Sequence, residues 1–152
     1  MELRFSVLGH SQPAGSKRAF ARAGKVAVVD DNPRSTDWKQ EVRGAAGLAM
    51  WDANLAGDLI DGPLLLVAEF VLARPQGHFG TGRNRKRVRP SAPLHPAVRP
   101  DTTKLLRAVE DALTGVVWRD DAQIVTQHAT KRYGAPERVD VIVKTLDRHV
   151  GG

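Results

Sequence analysis

Leu105, Leu106, Val109, Ala112 and Leu113 recur at spacings of three and four, and then Val116, Val117 and Trp118 run up to a pair of aspartates, Asp120 and Asp121. No other stretch constrains the fold as much as residues 99–124, where the hydrophobic period changes from that of a helix to that of a strand. Asp101 stands where the helix should begin, near Thr102 or Thr103, and Gly115 stands where it should stop. Thr103, Arg107 and Glu110 fall on a second face, four and three residues apart. The helix must bury its apolar face and leave this polar one open.

Weaker signals of the same kind flank this unit. Leu3, Phe5 and Val7 alternate with Arg4 and Ser6, which predicts a half-buried strand, and Val26 to Val29 predicts a short one. Ser35 or Thr36 opens a helix running to about Ala53 or Leu55, with Trp38, Val42, Ala45, Ala46, Ala49 and Ala53 on one face. Trp38 and Trp51 read as core or interface residues. Leu64 to Leu72 is apolar throughout, as expected of a central strand. A strand from Ile124 to about Arg132 turns at residues 133–136, and the alternating Val139, Val141 and Val143 predict a last strand as its hairpin partner. No repeat or domain boundary interrupts the 152 residues. The expectation is an α+β fold, one domain over 1–152, with a mixed sheet of about four to five strands packed against two main helices.

Charge narrows the class of partner. Against 17 acidic residues the chain carries 23 Lys and Arg, a net +6, which favours a polyanion, nucleic acid ahead of an anionic membrane. The Pro- and Gly-rich segment 74–100 fits no regular element and holds Arg83, Arg85, Lys86, Arg87 and Arg89 within seven residues. Cations this close repel unless an anion neutralises them, so the loop is expected to touch nucleic-acid backbone. Lys17 and Arg18 are expected on a second basic loop. A basic RNA-binding module is the weaker option, because aromatic residues for stacking make up only 5% and none clusters with the basic loop.

Several classes are excluded. With no cysteine there is no disulfide, thiolate zinc site or cysteine nucleophile, which fits a reducing cytoplasm. The start of the chain lacks a signal-peptide pattern, and the longest apolar run, 63–68, is too short to span a bilayer. A cytoplasmic protein away from membranes is expected. The five histidines have no metal-ligand spacing, and no Walker A, dinucleotide or Gly-x-Ser-x-Gly motif is present.

What remains for chemistry is Asp101, Asp120 and Asp121. Carboxylates brought together repel unless a cation fills the space, and a hard divalent ion takes oxygen ligands. The residues alone leave a second reading open, in which Asp101 is a helix cap and Asp120-Asp121 a polar turn.

The segments Pro100-Asp101-Thr102-Thr103-Lys104-Leu105-Leu106-Arg107 and Trp118-Arg119-Asp120-Asp121-Ala122-Gln123-Ile124 resemble those of the RusA family of Holliday junction resolvases. That family opens the helix with Pro-Asp-x-Asp-Asn-Leu-x-Lys and follows it with Trp-x-Asp-Asp-Ala-Gln-Val/Ile. The close match covers about 26 residues and a weaker one most of the chain, with a phage origin among the possibilities. The resemblance implies an α+β homodimer that cuts four-way DNA junctions with Mg²⁺ or Mn²⁺. It implies Asp101 and Asp121 as catalytic metal ligands, Asp120 as their acidic neighbour, and Arg107 where the family has a functional lysine. Lys17, Arg18, the cluster from Arg83 to Arg89, and Lys104 would hold DNA.

Besides Arg107, two positions depart from the pattern. Thr103 replaces the family's second catalytic aspartate and Lys104 its asparagine. Glu110, two turns on and on the same face, is the residue that could stand in for the lost carboxylate; its other reading is an exposed partner for Arg107. The alternative function is therefore a branched-DNA-binding protein whose catalysis Thr103 impairs.

Overall fold

The structure, a computed structural model, describes residues 1–15, 17–22, 24–30 and 34–151, with the side chains of 17–22 and 26–30 outside the description. Strands β1 (Glu2–Leu8), β4 (Leu64–Leu72), β5 (Ile124–Tyr133) and β6 (Arg138–Thr145) form a sheet in the order β1-β6-β4-β5. β2 (Lys17–Arg22) and β3 (Lys25–Asp30) form a separate antiparallel ribbon. The helices are α1 (Ser35–Asp52) and α2 (Thr102–Leu113). This is the expected α+β architecture, a mixed four-stranded sheet with two helices.

β4 lies inside the sheet, antiparallel to β6 and parallel to β5. Leu64, Leu66, Ala68 and Phe70 alternate into the core with Val139, Val141 and Val143 of β6 and Leu3 and Val7 of β1. Against them pack Trp38, Val42, Ala46 and Met50 of α1 and Leu105, Ala108, Val109, Ala112 and Leu113 of α2. On the other face Ser6 and Arg138 both bond Asp140, and Arg132 pairs with Glu69 at 2.6 Å. That face is mixed, since Leu65, Val67 and Val71 alternate onto it with Glu69, as expected of a strand that is apolar throughout.

Two expectations change. β6 is not the hairpin partner of β5: it pairs with β1 and β4, and β4 separates it from β5. Running parallel to β4, β5 needs a crossover, and α2 supplies it. Lys17 and Arg18 belong to a strand rather than a loop, with Lys17 opposite Asp30 and Arg18 opposite Val29; their side chains lie outside the described residues. Trp38 is buried at 4% exposure, but Trp51 stands 69% exposed beside the exposed Leu48.

Candidate active site

The segment carrying Asp121 is tied down from both sides. α2 ends at Thr114, and Gly115 takes φ +86°, a left-handed conformation that glycine adopts without a Cβ clash. The turn closes through Gly115 N–H on the Trp118 carbonyl at 2.7 Å. Trp118 is fully buried, and its indole N–H donates to Thr114 Oγ1 at 3.0 Å, so the polar edge of the ring has its partner inside the core. Ile60 N–H donates to the Val117 carbonyl at 2.7 Å, joining this turn to the segment before β4.

Beyond Trp118, Asp120 and Gln123 form a capping box around a single 3₁₀ turn, Asp121–Gln123. Asp120 Oδ1 accepts from Ala122 N–H at 2.9 Å, while Gln123 Oε1 accepts from Arg119 and Asp120 N–H at 3.0 and 3.1 Å. The Gln123 Nε2 group donates to the carbonyls of Ile60 and Gly62, both at 3.0 Å. Asp120 therefore spends one carboxylate oxygen on the backbone. Asp121, exposed at the start of the turn, is the aspartate whose side chain no backbone group uses.

Across from it runs the polar face of α2. Thr102, Thr103, Leu106, Arg107 and Glu110 line one wall of a groove of about 380 Å³, and Gln127 and Ala129 of β5 line the other. Glu110 is partly buried and makes no ion pair with Arg107. Burial, followed by the negative charges of Asp121 and Asp111, holds its carboxyl above the usual glutamate range, with Arg107 pulling the other way. The groove thus gathers Thr103, Arg107 and Glu110, with Asp121 close enough for its charge to reach Glu110.

Asp101 has a different outlook. It occupies the N-cap position of α2 with extended backbone, but its carboxylate makes no capping bond. It lines a separate cleft of about 410 Å³ with His10, Pro13, Arg99, Pro100 and Lys104. Lys131 of β5 donates to the carbonyls of Val98 and Pro100, holding the approach to α2 against the strand. Among the described residues no three His, Asp or Glu side chains gather as a ligand set, so Asp101, Asp120 and Asp121 do not converge as a triad. An ion here would rest on one or two carboxylates with water and substrate oxygens, which is how Mg²⁺ commonly binds. The oxygen donors of Asp121, Glu110 and Thr103 are of the hard type that such an ion takes.

The segment 74–100 is folded back on itself. Phe79 and Val88 form a β-bridge, Gly80 N–H donates to the Arg87 carbonyl, and Arg89 Nε donates to that of Phe79. At its root the Arg74 guanidinium stacks 4.5 Å above the Tyr133 ring and donates to the Pro93 carbonyl. Arg83, Arg85, Lys86, Arg87 and Arg89 are all exposed. Sequence reasoning missed Gln123, although Asp120-x-x-Gln123 is a capping-box spacing that could have pointed to it.

The chain is an α+β protein whose polar groove holds one cation, Arg107, and one acid, Glu110, with Asp121 nearby. Its family is specific: a family model described as Endodeoxyribonuclease RusA matches residues 11–144, and the chain belongs to the RusA endodeoxyribonuclease family. It is also 26% identical over 144 residues to a Bacillus subtilis (strain 168) protein described as "Uncharacterized protein YqaN", covering 95% of this chain and 96% of that one. Among the described residues no helix is long and apolar enough to cross a membrane.

Proposed function

We propose that the protein is a divalent-metal-dependent endonuclease that resolves four-way DNA junctions, acting as a homodimer in the cytoplasm. The observation that carries this reading is the family match over residues 11–144, which includes both acidic segments and the basic loop between β4 and α2. Asp121 and Asp101 are the ligands for Mg²⁺ or Mn²⁺ that the family resemblance assigns, Asp120 holds the turn that carries Asp121, and Glu110 supplies a carboxylate on the groove side of α2. A bound cation would neutralise phosphate charge and acidify water next to the scissile bond. Arg107, in the same groove, is suited to grip the non-bridging oxygens of that phosphate and to stabilise the charge that grows there. Lys104 faces the neighbouring cleft, where a second phosphate of the same strand would sit. Arg83, Arg85, Lys86, Arg87 and Arg89, with Lys17 and Arg18, would hold the arms of the junction through their backbone.

Thr103 supports a second reading, a protein that binds branched DNA without cutting it, since a neutral hydroxyl attracts a divalent ion less than a carboxylate does. Incubating a labelled immobile four-way junction with Mg²⁺ or Mn²⁺, beside linear duplex and an Asp121→Asn control, separates the two. Paired nicks near the crossover, absent in the control, are expected. Tight junction binding with intact strands in both metals would overturn the nuclease reading.

A further inference from the structure

Gln123 lies between two segments about 60 residues apart in sequence, and all four of its side-chain hydrogen bonds go to backbone. Oε1 accepts from Arg119 and Asp120 N–H, and Nε2 donates to the carbonyls of Ile60 and Gly62. One amide therefore bridges the turn that carries Asp121 and the chain entering β4. Both groups of the amide are needed, because only a carboxamide offers an acceptor and a two-hydrogen donor on one planar group. Asp121 follows directly on the two N–H groups that Oε1 holds. Among the described residues no side-chain hydrogen bond holds the Asp121 carboxylate, so the backbone beneath it sets the position and the Cα–Cβ direction from which it reaches into the site.

We propose that Gln123 is the positioning residue for Asp121, fixing the direction of that carboxylate by fastening the Arg119–Asp120 backbone to the Ile60 and Gly62 carbonyls. The inference rests on the reading of Asp121 as a metal ligand. It adds a requirement that this reading lacks: the segment 60–62, far from the acidic motifs in sequence, becomes part of the support of the site. Groups that orient a ligand from behind are worth about 10–100-fold in metal affinity or activity.

The test compares wild type with Gln123→Ala and with Gln123→Met, which keeps the length of the side chain while removing its hydrogen bonds. Val7→Ala, a core truncation on the far edge strand, serves as a control for lost stability. Mn²⁺ affinity is measured by calorimetry without DNA, junction affinity in EDTA, and kcat at saturating junction. Both Gln123 variants are expected to bind Mn²⁺ about 10-fold or more weakly and to lose a similar factor in kcat, with junction affinity within about twofold of wild type. Val7→Ala should lose thermal stability but keep Mn²⁺ affinity and kcat. If the Gln123 variants lose only stability, as Val7→Ala does, the residue is a brace of the fold and the inference is overturned. An Asp121→Asn arm distinguishes the deeper failure: unchanged Mn²⁺ binding there would overturn the ligand reading of Asp121, and the inference with it.

Discussion

Burying the indole of Trp118 requires an acceptor for its N–H inside the core, and Thr114 provides it while its own hydroxyl donates to the Glu110 carbonyl. Thr114→Val keeps the shape and removes the acceptor. It is expected to cost about 1–3 kcal/mol, the usual penalty for a buried donor left without a partner, read as a lowered midpoint in urea. Glu110 gives a pH-dependent prediction. Its carboxyl is held above the usual glutamate range by burial first and then by Asp121 and Asp111, so the folded protein keeps this proton longer than the unfolded chain does. Its favourable contribution is complete at pH below the ordinary glutamate value and disappears as pH rises through the raised value. In EDTA, Glu110→Gln should therefore match wild type at low pH and exceed it in melting temperature near neutrality. A melting difference that does not vary with pH would contradict this. The candidate acids were legible because they sit in short local patterns: Asp101 before an amphipathic helix, and Asp120-Asp121 after a tryptophan. The hydrogen bonds of Gln123 were not, since its partners Ile60 and Gly62 are brought to it only by the tertiary fold.

At the scale of elements, both helices were legible from period and punctuation. α2 was expected from Thr102 or Thr103 to the region of Thr114-Gly115 and spans Thr102–Leu113. Strand pairing was less legible. The short turn after Tyr133 suggested a hairpin of β5 with β6, yet β5 lies beside β4 in parallel, from Leu64↔Ile124 to Leu72↔Tyr133. The hydrophobic run of β4 demands neighbours on both sides, and the order strand–helix–strand over β4, α2 and β5 was the signal for a parallel crossover. The irregular segment 74–100 hid it. That segment is braced by Arg74 on Tyr133 and by the Phe79–Val88 bridge, leaving the cations between them on a supported tip. Replacing Arg83, Arg85 and Arg87 together by Ala should weaken junction binding and flatten its dependence on salt. Each lost phosphate contact removes about 0.9 from the slope of log K against log salt. Fluorescence anisotropy over a salt series checks this, and an unchanged slope would take the loop out of the interface.

For the molecule as a whole, a net charge of +6 gives the chain a field that draws in DNA of any shape, so charge alone does not favour a branch over a linear duplex. Selectivity has to come from geometry. A four-way junction presents symmetric strands at its crossover, and resolution requires two of them to be cut. A homodimer with closed two-fold symmetry sets two grooves at a fixed separation, each with its own Asp121 and Arg107, and so matches the substrate in a way that one groove cannot. A supercoiled plasmid bearing an extruded cruciform makes this measurable. A single nick relaxes the plasmid, and the cruciform is reabsorbed before a second enzyme arrives. Two nicks made within the lifetime of one complex instead yield linear DNA. The protein is expected to convert the plasmid directly to linear product, and to sediment at twice the mass of the chain. When mixed dimers are formed from wild type and Asp121→Asn, nicked circles should accumulate, because the half with the intact carboxylate cuts and its partner does not. Linear product in undiminished yield from such mixed dimers would mean that the two cuts do not depend on paired sites.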